Sequence, residues 1–179
     1  MEIQETGLKD CLIIKPRVFD DARGYFFESF NKQTFEAKTG LTGDFVQDNQ
    51  SYSSYGVIRG LHAQTGEFAQ AKLVRVTKGE VLDVAVDVRP GSPTYGKHVA
   101  VRLSAENKLQ LYIPRGFVHG FSVLSEKVEF LYKCDNFYNK ASETGVIYND
   151  IDLNIDWLIP AGMESISDKD LLLRPFSEL

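Results

Sequence analysis

The stretch from Gly79 to Val88 constrains the fold more than any other part of the chain. After Gly79-Glu80, Leu82, Val84, Val86 and Val88 fall on one face, and Asp83, Ala85 and Asp87 on the other. That period of two is the pattern of a β-strand. Pro90-Gly91 then turns the chain. The alternation returns at residues 98–103 and 128–133. Shorter strand candidates lie at 11–15, 25–30, 45–49, 58–63, 72–77 and 110–113. Many short strands punctuated by Gly, Pro and Asn read as an all-β sandwich or small barrel. One helix is expected over Lys32–Thr39, with Asn31 as N-cap and Gly40 as stop. The piece after Trp157 reads as a short helix or loops. No linker, repeat or low-complexity segment interrupts the 179 residues, so a single domain over 1–179 is expected.

Composition narrows the function. A formal net charge of -5 disfavours nucleic acid as a partner, because that would need a basic face. It leaves room for a small anion held by a few local cations. No run approaches the roughly 18 apolar residues of a membrane span, and Glu2, Glu5, Lys9 and Asp10 break any leader-like apolar stretch. Cys11 and Cys134 are too few and too far apart for a disulfide framework. Free thiols in a reducing, cytoplasmic setting are expected. Gly91 to Lys97 has the spacing of a phosphate loop, but His98 stands where a magnesium-ligating Ser or Thr belongs. Pro93 removes a donor, and a strand rather than a helix follows.

Several polar side chains sit inside strand-like runs. His62 and Gln64 share a face after Arg59-Gly60-Leu61, Lys72 opens the next strand, and Gln47 and Asn49 share another face. His119 stands between aromatics in the run Pro114 to Phe121. Singly, each reads as a hydrogen-bonded core or edge residue. Together they would line one barrel interior, and burying so many polar groups without a ligand is costly. Arg59 and His62 differ in strand parity. Either a bulge at Gly60 re-aims one of them, or Arg59 reaches a ligand on a neighbouring chain. The His-x-Gln pair plus His119 lacks a carboxylate and makes a poor transition-metal set, so no metal is expected.

At this level of detail the chain resembles the dTDP-4-dehydrorhamnose 3,5-epimerase family. The resemblance is carried by Pro16 to Phe30, Phe45-Val46-Gln47-Asp48-Asn49, Arg59-Gly60-Leu61-His62, Lys72 to Arg75, Pro114 to Phe121 and Tyr132-Lys133-Cys134, in order over nearly the whole chain. The resemblance implies a cupin-type double-stranded β-helix, a jelly-roll barrel with a few short helices, and an isomerase that needs no cofactor or metal. It implies a homodimer with an N-terminal segment exchanged between subunits, acting on a dTDP-4-keto-6-deoxyhexose in dTDP-L-rhamnose biosynthesis. Carried over residue by residue, His62 is the base, Tyr132 the acid, Lys72 the enolate stabiliser and Asp170 the partner of His62, with Asp168 two residues away as the alternative. Arg23, Phe26, Glu28, Gln47, Asn49, Arg59, His119, Glu143 and Lys169 match substrate-binding positions, and Tyr138 an aromatic that stacks on thymine. The chain departs from the family at Ala63, at Thr65-Gly66-Glu67-Phe68, at Asn139-Lys140 and at Tyr148, all around the rim.

The chemistry suits these residues. C3 and C5 both adjoin the C4 ketone, so their protons are weakly acidic. Histidine is a base near working pH, a carboxylate fixes its tautomer, a phenol returns a proton, and a lysine faces the enolate oxygen. A one-centre 3- or 5-epimerase or a 3,4-ketoisomerase would use the same fold. A non-catalytic sugar-nucleotide-binding barrel and a metal-dependent cupin oxygenase are the readings from other classes.

Overall fold

The alternating segments pair into two antiparallel sheets in the computed structural model, which describes residues 1–179. The strands are β1 (Glu2–Glu5), β2 (Leu12–Lys15), β3 (Val18–Asp21), β4 (Gly24–Phe27), β5 (Gln47–Ser54), β6 (Ile58–Gln64), β7 (Lys72–Lys78), β8 (Glu80–Asp87), β9 (His98–Ser104), β10 (Gln110–Ile113), β11 (Phe117–Val123), β12 (Lys127–Cys134) and β13 (Glu143–Gly145). One sheet runs β1-β2-β10-β7-β12-β5 and the other β13-β6-β11-β8-β9, while β3 and β4 form a separate hairpin. This is the expected jelly-roll barrel, with two helices, α1 (Lys32–Thr39) and α2 (Asp168–Leu171), and a few 3-10 turns.

Three apolar clusters hold it. The barrel interior is filled at one end by Val74, Val81, Leu103, Leu111, Val123 and Phe130, among others. The outer face of the five-stranded sheet, with Leu82, Val84 and Val86, is covered by Val146, Leu153 and Trp157 of the C-terminal segment. Trp157 is tied there twice: its Nε1 donates to the Tyr148 carbonyl at 2.7 Å, and its own carbonyl accepts from Ser122 Oγ at 2.7 Å. The outer face of the six-stranded sheet packs Leu12, Ile14, Leu73 and Tyr112 against Phe35 of α1. The helix has the expected bounds because its caps are local chemistry. The Asn31 side chain accepts from the Thr34 N–H, and Gly40 takes the left-handed conformation that ends it.

The Asp83–Ala85–Asp87 face of β8 points into the barrel, and both aspartates are fully buried. Asp87 is the hub of the loop that resembles a phosphate site. Its carboxylate accepts from Arg89 Nε and the Arg89 guanidinium end at 2.9 and 2.7 Å, and from the Ser92 and Thr94 hydroxyls at 2.6 Å each. Burial opposes the charge, but these donors outweigh it and hold the carboxyl far below the usual carboxylate range. The loop is wrapped around the protein's own anion, which repels a phosphate from that place.

Candidate active site

At the open end of the barrel the inward positions turn polar. A cavity of about 300 Å³ is lined there by Arg59, His62, Lys72, His119 and Tyr132, with Asp170 and Lys169 closing it from α2. A second hollow of about 140 Å³ shares His62, Lys72 and Tyr132 with the first and continues to Gln47, Asn49, Tyr138 and Glu143. Each strand delivers its side chains by pleat and register. His62 on β6 lies opposite His119 on β11, and Tyr132 on β12 lies between Asn49 of β5 and Val74 of β7.

The parity conflict between Arg59 and His62 is resolved by a bulge. Three steps of β6, from His62 to Arg59, oppose two steps of β11, from His119 to Phe121. The extra residue brings both side chains to the cavity. Gly60 makes this possible, since its φ is +121° and a Cβ there would come within 2.5 Å of the Gly120 Cα.

His62 Nε2 lies 2.7 Å from Asp170 Oδ1. The other carboxylate oxygen accepts from the Gly60 N–H at 3.3 Å, and Ser167 caps the helix that carries the aspartate. Asp170 is buried, which opposes its charge, yet the contact with His62 and the Gly60 N–H keep its pKa below the usual value. Of the two aspartates, Asp170 is the one in contact and Asp168 faces solvent. With Nε2 engaged, Nδ1 is the ring nitrogen left for chemistry.

Lys72 Nζ stands 5.9 Å from the centre of the Tyr132 ring. Burial lowers the lysine pKa and raises that of the Tyr132 phenol, with Arg59 pulling the phenol the other way. The barrel therefore holds a neutral phenol beside an ammonium that is costly to keep charged. Arg59 Nε donates to Ser53 Oγ at 3.1 Å. Lys169 Nζ reaches both Glu143 oxygens, at 3.0 and 2.8 Å. Gln47 Nε2 donates to Asn49 Oδ1 at 3.0 Å. Gln64, at the second position of the His-x-Gln pair, accepts the Asn139 N–H at 2.8 Å.

The family model for dTDP-4-dehydrorhamnose 3,5-epimerase matches residues 5–178. The chain belongs to this family. It is 54% identical to the dTDP-4-dehydrorhamnose 3,5-epimerase of Shigella flexneri over 171 residues, 96% of this chain and 93% of that protein. Among solved structures it is similar to the dTDP-4-dehydrorhamnose 3,5-epimerase of Elizabethkingia anophelis, at 59% identity and a TM-score of 0.96, covering 99% of this chain and 97% of the other. It is also similar to the dTDP-6-deoxy-D-glucose-3,5-epimerase of Legionella pneumophila, solved in complex with dTDP-4-keto-L-rhamnose, at 47% identity and a TM-score of 0.93, covering 97% and 92%.

In this member of the epimerase family, three of the residues matched by resemblance lie apart from the cavity. Arg23 and Phe26 sit on the β3–β4 hairpin and Glu28 just beyond it, all exposed. Phe19, Tyr25 and Phe26 of the hairpin are 51%, 58% and 69% exposed, so its aromatics have no core of their own. Arg23 pairs only with Asp21, its end nitrogen 2.6 Å from Oδ2.

One partner of a residue lining the epimerase cavity is invisible to alternation. Asp83 is fully buried, and both its oxygens contact His119 Nε2, at 3.0 and 2.9 Å. An acid among the apolar residues Val81 to Val86, with a histidine elsewhere in search of a partner, is the sequence signal for it.

Proposed function

We propose that this protein inverts C3 and C5 of dTDP-4-dehydro-6-deoxy-D-glucose to give dTDP-4-dehydro-L-rhamnose, in dTDP-L-rhamnose biosynthesis. The observation that carries this reading is one cavity lined by a carboxylate-held histidine, a neutral phenol and a half-buried lysine. His62 Nδ1 takes the proton from the carbon next to the ketone, and Asp170 stabilises the imidazolium. The electron pair moves to the C4 oxygen, where the Lys72 ammonium meets the enolate charge. The Tyr132 hydroxyl returns a proton to the opposite face, and its raised pKa keeps it protonated for that task. Each inversion is one removal and one return, with no net redox change.

Arg59, Lys169 and His119 bind the diphosphate and sugar. Gln47, Asn49, Glu143 and the exposed ring of Tyr138 receive the nucleoside. Cys11 and Cys134 are free and buried, which suits the cytoplasm, and no helix is long and apolar enough to cross a membrane. The test is solvent-deuterium incorporation on dTDP-4-keto-6-deoxyglucose, read by NMR. Label at both carbons is expected. Label at one carbon alone would make this a one-centre epimerase, and none, with binding intact, a binding protein.

The stranded hairpin supports a homodimer in which Arg23, Phe26 and Glu28 complete the partner's site. The test uses two inactive variants, His62→Ala and Arg23→Ala, mixed under conditions that exchange subunits. Hairpin sharing makes one site of every mixed dimer fully wild-type, so about a quarter of wild-type activity returns for random exchange in a two-fold dimer. A hairpin serving its own chain gives no recovery.

A further inference from the structure

We propose that Asn136 is a positioning residue for the nucleotide base: it clasps the β6–β7 connection to the segment bearing Tyr138 and so sets the seat of that ring. The proposal rests on the reading of Tyr138 as the base platform.

The segment from Asp135 to Asn139 follows β12 and belongs to no ladder. The ring it displays is 52% exposed, so packing does not fix it. Its backbone N–H has only a long contact, 3.4 Å to Gln47 Oε1. The segment is held at its far end by the Asn139 N–H, which donates to Gln64 Oε1 at 2.8 Å, and before Tyr138 by bonds across the rim, of which Asn136 is the centre. Asn136 Nδ2 donates to the Glu67 carbonyl at 2.8 Å and the Ala69 carbonyl at 3.4 Å. Its Oδ1 accepts the Phe137 N–H at 2.9 Å, and its backbone carbonyl accepts Gln70 Nε2 at 2.8 Å. Asp135 Oδ1 adds a bond from the Ala71 N–H at 2.6 Å.

The side chain of Asn136 thus reads backbone carbonyls of the 65–70 connection, not side chains. Side-chain changes from Thr65 to Phe68 therefore leave these bonds in place. A ring held in its binding pose before the ligand arrives loses less freedom on binding. An untied ring gives back part of the stacking gain, so the clasp acts on affinity and leaves the proton chemistry alone.

Asn136→Asp keeps the acceptor for Phe137 and replaces the donor with an oxygen facing two carbonyls. Calorimetry on this variant is expected to show dTDP binding weakened about tenfold, the lower range of one base stack. Pyrophosphate, which has no base, should bind as to the wild type. KM should rise with dTDP's Kd while kcat stays within about twofold, the split expected when only binding is lost. In a Tyr138→Ala background the same change should add nothing. Gln70→Ala, which removes one tie and no charge, should move in the same direction and carries the test if Asn136→Asp does not fold. Unchanged dTDP affinity in both rim variants overturns the proposal, as do effects that multiply with Tyr138→Ala. If Tyr138→Ala itself leaves dTDP binding intact, the base-platform reading falls and the clasp with it.

Discussion

Replacing His62 by alanine is expected to stop deuterium entering at C3 and at C5, with turnover falling about 10³-fold, within the range for loss of a positioned general base. The cavity offers no substitute. Asp170 is the nearest carboxylate to the vacated place, but it sits behind the ring, and the Gly60 N–H holds one of its oxygens. Substrate binding should survive, because Arg59, Lys169 and the nucleoside residues are untouched. Asp170→Asn is the companion variant. Its amide N–H would donate to His62 Nε2 and leave the proton on Nδ1, the nitrogen that must accept. The imidazole would stay in place with the wrong tautomer, and exchange should fall at both carbons together. A variant that lost label at only one carbon would show that a second base serves the other, and would end the one-base scheme. NMR of the recovered sugar nucleotide settles it.

Lys72→Met is the second large effect, and activity and stability should move in opposite senses. Methionine nearly matches the lysine stem in length and removes the charge. Without an ammonium for the enolate oxygen, kcat should fall by about 10²–10³, the loss seen when one oxyanion donor is removed. Thermal stability should rise, because an ammonium in the barrel is penalised by desolvation. The lowered pKa gives the pH dependence its sign. Native Lys72 loses its proton at lower pH than a surface lysine, so the wild-type rate declines on the alkaline side below the usual lysine range. The stability gain of Lys72→Met should be full at neutral pH, shrink as alkaline pH discharges the native lysine, and vanish once the pH passes the ordinary lysine range of the unfolded chain. Paired melts and rate profiles check both. A variant that is slower and also less stable would mean that Lys72 holds the barrel together rather than serving the enolate.

What could be read from the sequence follows the range of the forces involved. The caps Asn31 and Gly40 act within one turn, so the helix bounds were fully legible. Central strands such as β8 announce themselves by alternation, but alternation does not say which side is wet. Nothing nearby in the chain says that Asp83 and Asp87 face inward, because the barrel interior, where they point, is not local information. Strand β5 shows the reverse. Its inward residues Gln47, Asn49, Ser51 and Ser53 are polar because they line or adjoin the cavity, so hydropathy finds only its start. The hairpin strand β3 and the short β1 and β13 carry too few residues to show a period. Gly60 did signal the bulge between Arg59 and His62. The choice between Asp168 and Asp170 had no signal in the chain alone, since it depends on which side of a four-residue helix meets β6.

The contact between His62 and Asp170 joins residues 108 positions apart. A ribosome finishes every barrel strand before it adds the aspartate, so a nascent chain can hold a closed barrel that is still chemically silent. The pair is complete only when the C-terminal segment, anchored by Trp157, lies against the five-stranded sheet and brings α2 to β6. A protease cut in the exposed turn around Ala161 and Gly162 would leave every barrel strand on one fragment and Asp170 on the other, so that only packing and hydrogen bonds would keep Asp170 at His62. Catalytic rate is therefore a more sensitive gauge of an intact chain than spectroscopic signs of β-structure.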